Sequence, residues 1–274
     1  MKIQISNPHL TVFESALYRT TSTVVKTPDL VLIVDPNWLP EEVATVKQYA
    51  LDIRGNRPLY LLFTHSDYDH IIGYRAFTGA EVIASQAFVE NADKEKVIQQ
   101  IKDWDEGFYV ERSYPIEYPE VNIIAKEDGQ VVKIGGTTFT FYLAPGHTGD
   151  GLFTIVSWNE QRIWLLGDYL SNVEFPFIYH SSYDYEKTLS KAENMIKNWG
   201  GGVSIPGHGD ATSDLADMQQ RINDSRNYIQ QLRNSIKLAQ EFPTDTLWEK
   251  YSFRKGMERY HGGNIILMRE EESK

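Results

Sequence analysis

An α/β (α+β) fold, with two sheets and helices on their outer faces, is what the sequence predicts, on three observations. Short runs of branched apolar residues alternate with helical stretches in the first third of the chain. A second set of strand-like runs begins near residue 131, again followed by helices. Four of the apolar runs stop abruptly in histidine or aspartate, where loops can carry chemistry on a rigid base.

Taken in order, "LVLIVDP" (30–36) reads as a buried strand closed by Pro36. Pro40, Glu41 and Glu42 open a helix, because proline has no N–H to lose in the first turn and acids complement the helix dipole there. Val43, Val46 and Ala50 make its inward stripe, and Gly55 lies just past its end. "LYLLFTH" is a second buried strand, a helix follows His70 through Phe77, and "AEVIAS" (80–85) is a third strand. Residues 86–120 break the alternation. A helical stretch around Lys94–Trp104 gives way to "DWDEGFYVERSYPIEYPE", dense in aromatics and charges, which reads as a surface insertion in preference to a substrate lid.

Beyond it, "VVKIGGTTFTFYLA" predicts a hairpin turning at Gly135-Gly136, and "LFTIVS" pairs with "RIWLLGD" around "WNEQ". "DYEKTLSKAENMIKNWGGG" is a helix with Asp184 as N-cap and glycines at its end. "VSIPGHG" is a last buried strand, leading to a helix capped by Ser213. Leu215, Met218, Ile222, Ile229, Leu232 and Ile236 form that helix's apolar face. No repeat and no Gly/Ser/Pro-rich linker divides the chain. Residues 1–274 therefore read as one domain, with an insertion at about 86–120 and a C-terminal helical segment at about 213–260.

Composition narrows the function. A net charge of −11 disfavours a nucleic-acid backbone as partner, since phosphate binding needs a basic surface. Cysteine is absent, which excludes disulfides, iron–sulfur clusters and thiolate zinc sites; any metal is held by nitrogen and oxygen. "MKIQISNPHLTVFESALYRT" has no apolar core of the signal-peptide kind and no 18-residue apolar run occurs, so no membrane association and a cytoplasmic location are expected. Oligomeric state is not legible.

The chemistry gathers where strands end. "FTHSDYDH" carries His65, Asp67, Asp69 and His70; "APGHTGD" carries His147; "LLGDYL" carries Asp168; "IPGHG" carries His208. Singly, each has a plain reading: a histidine after Pro-Gly is commonly a turn residue, and Asp168 could cap a helix. Of the seven histidines, only His9, His180 and His261 lie outside these segments; His9 and His261 read as surface or hydrogen-bonded structural residues. His180 follows the Asp168 loop and is a candidate to touch substrate, as is Tyr169, although a packing role fits Tyr169 better.

Together, "THSDYDH", "GHTGD", "GD" and "PGH", in this order and at these separations, resemble the metallo-β-lactamase fold superfamily over essentially the whole chain. The resemblance implies a four-layer αβ/βα sandwich of two mixed sheets, with two metal ions between their ends. It implies that His65, Asp67 and His147 hold the first metal, that Asp69, His70 and His208 hold the second, and that Asp168 bridges both. Alternate residues of an extended segment point the same way, so His65, Asp67 and Asp69 can face one pocket; His70 joins them only if the chain turns there.

Asp67 departs from the pattern, which has histidine at that place; a carboxylate there also occurs in the flavodiiron branch, typically as glutamate. Three carboxylates and a bridging hydroxide neutralise two divalent ions, whereas histidine at 67 would leave one positive charge. Zinc is the metal the family implies, and the extra carboxylate also suits iron or manganese. The expected activity is hydrolysis of a small ester, thioester, lactone or phosphodiester by a metal-activated water, with Asp69 orienting the nucleophile and carrying its proton. Two other readings stand beside it: a di-iron oxidoreductase, which would usually need a flavin domain nearby, and a non-catalytic metal-binding sensor.

Overall fold

The structure, a computed structural model, describes residues 1–273. Its first strands come where the sequence shows no long apolar run: β1 (Lys2–Ser6), β2 (Leu10–Glu14) and β3 (Thr21–Lys26). In "TSTVVK" polar threonines and a serine are buried along with the valines, which hides the strand from a hydropathy pattern. The "LVLIVDP" strand is β4 (Val31–Val34), followed by α1 (Pro40–Arg54), β5 (Leu59–Leu62) and a one-turn helix α2 (Tyr68–Ile71). A 3-10 turn at Tyr74–Ala76 leads to β6 (Glu81–Ser85), α3 (Gln86–Glu90), α4 (Lys94–Gly107) and β7 (Ile123–Ala125). The second half holds β8 (Gln130–Ile134), β9 (Thr137–Leu143), β10 (Leu152–Trp158), β11 (Gln161–Leu165), α5 (Ser182–Trp199) and β12 (Val203–Ile205). Three helices close it: α6 (Leu215–Lys237), α7 (Thr244–Lys250) and α8 (Arg254–Glu272).

One sheet runs β1-β2-β3-β4-β5-β6-β7 and the other β12-β11-β10-β9-β8. Both are mixed: β4 to β7 are parallel, β1 to β4 antiparallel, and β12 joins β11 in parallel. Strand periodicity builds the layers. In β4, Leu32 and Val34 face the space between the sheets with Phe139 and Phe141 of β9, while Val31 and Ile33 pack outward among Val43, Val46 and Ala50 of α1. In β10, Leu152, Val156 and Trp158 point inward, and Phe153 and Ile155 meet Leu189 of α5 and Ile222 of α6. The result is an αβ/βα sandwich of four layers, as the sequence predicts.

Several local details differ from expectation. The turn after β5 comes earlier: α2 starts at Tyr68, so Asp69 and His70 project from a helix instead of an extended segment. Ser181 caps α5 by accepting from the Asp184 N–H, and Asp214, not Ser213, caps α6. Leu215 is 37% exposed and leaves the apolar face to Met218, Ile222, Ile229 and Leu232, with Ile236 packed at its edge. Glu42 does more than meet a dipole: its buried carboxylate accepts from Ser15 Oγ at 2.7 Å and the Ala16 N–H at 3.1 Å, tying α1 to the loop after β2. Residues 86–120 are more than a surface insertion. Trp104 packs at a tilt against buried Trp38 with ring centroids 4.8 Å apart, and Arg112 donates to the Trp38 carbonyl at 2.8 Å.

The two sheets touch at one end. The Leu152 N–H donates to the Thr64 carbonyl at 2.8 Å, and the Thr21 N–H to the Gly207 carbonyl at 2.7 Å. That end is where all four ligand-bearing segments emerge.

Candidate metal centre

Each cluster residue is placed by a strand end. His65 follows β5, Asp168 follows β11, His208 follows β12, and His147 lies in the loop between β9 and β10. Asp67 occupies the N-cap position of α2, yet its carboxylate makes no capping hydrogen bond; Oδ2 lies 3.2 Å from His147 Nε2 instead.

The ligand atoms form two groups, His65, Asp67, His147 and Asp168 in one and Asp69, His70 and His208 in the other. Asp168 stands between them. Its Oδ2 is 3.7 Å from His65 Nε2 and 3.2 Å from both His147 Nε2 and His208 Nε2, while Oδ1 is 3.1 Å from His70 Nε2. Asp69 Oδ2 lies 3.7 Å from His70 Nε2 and 3.5 Å from His208 Nε2. Gly207 permits this crowding, since a Cβ there would sit 2.1 Å from Asp168 Oδ1.

A second ring of contacts aims the imidazoles. His70 Nδ1 donates to Asp35 Oδ2 at 3.0 Å, and His65 Nδ1 to Thr64 Oγ1 at 3.0 Å, whose own hydroxyl donates to Asp35 at 2.6 Å. His147 Nδ1 donates to the Phe177 carbonyl at 2.7 Å, and His208 Nδ1 to the Tyr18 carbonyl at 2.9 Å. All four rings thus carry a proton at Nδ1 and turn Nε2 inward, as metal-ligating histidines do. His65 Nε2, His70 Nε2 and Asp168 Oδ1 are buried without an aligned hydrogen-bond partner. Orphaned polar atoms are costly inside a protein, and ones that converge on a shared point suit a cation. The residues fit a metal pair.

The electrostatics agree. Burial alone would lower His70, His147 and His208, but the facing carboxylates outweigh it and raise all three, His208 to about 10. His65 is pushed down to about 3 by burial and by His70 beside it. Burial would raise Asp168, but His208, His70 and His65 hold it well below the usual carboxylate range. Burial raises Asp69 despite His70 and His208. The field at the centre favours positive charge.

Two expected substrate residues sit elsewhere. Tyr169 is buried, and its hydroxyl accepts from the His147 N–H at 3.0 Å while lying 3.0 and 2.9 Å from the Ala144 and Pro145 carbonyls. It holds the His147 loop and has no face left for a leaving group. The His180 side chain is 49% exposed, 3.7 Å from Asp184, and outside both ligand groups. His9 is exposed and His261 is buried against Tyr228, as expected.

Residue-by-residue reading missed Asp35 and Glu174. Asp35 ends "LVLIVDP", an apolar run stopping in an acid like the one before Asp168, so the signal was present. Glu174 had none. It lies in the loop after Asp168, shares a small space with His147 and Asp168, and burial pushes its carboxyl up to about 7.

A sandwich whose abutting sheet ends carry histidines and carboxylates in two groups around a shared aspartate defines a class of metal-binding protein. The model of the metallo-beta-lactamase superfamily matches residues 17–226, and the chain belongs to that superfamily, whose members are mostly hydrolases. A probable polyketide biosynthesis zinc-dependent hydrolase, BaeB of Bacillus velezensis, is 29% identical over 126 residues, 46% of this chain and 45% of that protein. The match thus spans less than half of that relative's length. A motif mutant of the Cronobacter sakazakii metallo-beta-lactamase superposes with TM-score 0.61 at 19% identity, over 88% of this chain and all of that one. A class B3 di-zinc metallo-beta-lactamase from an Alaskan soil metagenome gives 0.59 at 18%, over 84% and 93%. Among the described residues no helix is long and apolar enough to cross a membrane.

Proposed function

We propose that the chain is a binuclear metal-dependent hydrolase of a small ester, thioester, lactone or phosphodiester. The observation that carries this is the pair of ligand groups meeting at Asp168, with every imidazole locked by its Nδ1 hydrogen bond. His65, Asp67 and His147 would hold one ion, Asp69, His70 and His208 the other, and Asp168 both. When bound, such a pair supplies Lewis acidity, activating water and polarising the bond to be broken.

The chain's own residues supply the rest. Asp69, facing His70 and His208, is placed to orient the attacking water and hold its proton. Asp35 and Thr64 keep His65 and His70 in register, so the ligand geometry is set before substrate arrives. Zinc is the metal in the description of the Bacillus velezensis relative and of the soil-metagenome enzyme; Asp67 adds a hard oxygen ligand that also accommodates manganese or iron.

The test combines elemental analysis of protein purified without chelator with an ester, thioester, lactone and phosphodiester panel. Two ions per chain and chelator-sensitive turnover are expected. Full hydrolysis by metal-depleted protein would contradict the proposal.

A further inference from the structure

A cavity of about 760 Å³ opens beside the metal centre, a size typical of small-molecule sites. Its walls come from separate parts of the chain: Leu17 after β2, Leu39 before α1, Trp104 and Phe108 at the end of α4, and Phe253 and Met257 at the start of α8. These are apolar groups, yet Phe108 and Phe253 are 65% and 63% exposed, leaving two large aromatic side chains uncovered in the walls.

Three residues link the wall of this cavity to the clusters. Glu174 and Phe177 line it and also line the small space holding His147 and Asp168. Tyr18 lines it while its carbonyl takes the proton of His208 Nδ1. Of the charged groups in the wall, Arg19 pairs with Glu14 and Asp210 and Arg254 with Glu258, while among the described residues no ion pair engages Glu174 or Lys255.

We infer that the substrate carries a medium-length apolar chain that occupies this cavity, while its scissile polar group lies at the clusters. The inference rests on the hydrolase reading and narrows it to amphipathic substrates, such as acyl esters or thioesters. Residues 104–110 and 252–260 then select substrate, a role separate from holding metal.

The experiment measures binding, so it does not depend on turnover. Straight-chain alkanoates of six, eight, ten and twelve carbons, which imitate an acyl product, are titrated calorimetrically into the metal-loaded full chain. Affinity should rise about fourfold per methylene until the cavity is full. Gly256 lines the cavity, and a Cβ built there meets no atom within 4 Å, so Gly256→Trp can place an indole in the space without displacing the core. That variant, and Val110→Trp from another wall, should weaken the twelve-carbon ligand about tenfold or more with metal content unchanged. Affinity that ignores chain length, or that survives both variants, overturns the inference even if esters are hydrolysed. Length-dependent binding by a protein that hydrolyses nothing in the panel would instead overturn the hydrolase reading and leave the cavity assignment standing.

Discussion

The two ligand groups are built from the same kinds of side chain but are held differently. In the group of Asp69, His70 and His208, no side chain is more than 11% exposed, and His70 is backed by the Asp35 carboxylate. In the group of His65, Asp67 and His147, Asp67 is 28% exposed, and the imidazoles lean on a hydroxyl and a carbonyl. A carboxylate behind a histidine makes it a more basic ligand, and burial shields it from competing water. Under the proposed reading, the buried group would anchor its ion and the open group would hold the more exchangeable one.

The most severe way to break this contrast is to remove what the groups share. Asp168→Ala takes a carboxylate from four imidazoles at once, so both ions should be lost and activity should fall by about three orders of magnitude or more. Retention of either ion at full occupancy would show that Asp168 is not a bridge.

Glu174 probes the open side through stability. Burial lifts its carboxyl from the ordinary 4.5 to about 7 in the folded chain, so the wild type loses stability as pH rises through that window. The ionised form is the one burial penalises. Glu174→Gln, in chelator-treated protein, should match wild type near pH 4 and exceed it by up to about 3 kcal/mol near pH 8. Denaturant melts at the two pH values decide; equal stability at both would mean the carboxylate stays hydrated.

Asp35→Asn tests the anchor. The substitution keeps shape but removes the charge behind His70, and should weaken metal binding by about 10- to 100-fold. The buried group should suffer more than the open one, since only Thr64 connects Asp35 to His65. Competition with a chromogenic chelator resolves the two affinities, and equal weakening of both would erase the contrast.

Asp67→His sharpens the contrast from the other side. It replaces the exposed carboxylate with a borderline nitrogen ligand and adds one positive charge, so the open group should shift toward zinc over manganese by about tenfold. The pH–rate profile should move to lower pH, because a more positive centre binds hydroxide more tightly. Metal competition and the profile together check it, and no change in either would mean that Asp67 belongs to the turn.

The sandwich was legible because its central strands are continuous apolar runs and its helices carry ordinary start and stop signals, from Pro40 to Gly55 in α1. Strands β1 to β3 were not: β1 is largely exposed, and buried threonines of β2 and β3 find partners far off in sequence, as Thr11 does with Tyr49 and Thr21 with the Pro206 carbonyl. Strand β7 is short, and its place is visible only in its pairing with β6. The seven candidate residues stood out because histidines and acids at the ends of apolar runs have few bland explanations. What aims them came from tertiary structure alone. Backbone carbonyls such as those of Tyr18 and Phe177 have no sequence signature, and Asp35 reaches His70 across 35 residues. The cavity belongs to the same category: its walls are brought together from five separate segments, and an apolar residue in a loop declares nothing about the partner it will face. Short-range pattern thus determined which residues could bind metal, because residue type and strand period are local properties. Only the packed chain decided which nitrogen of each ring faces the centre and what shape of molecule can reach it, because those depend on contacts between residues far apart in sequence.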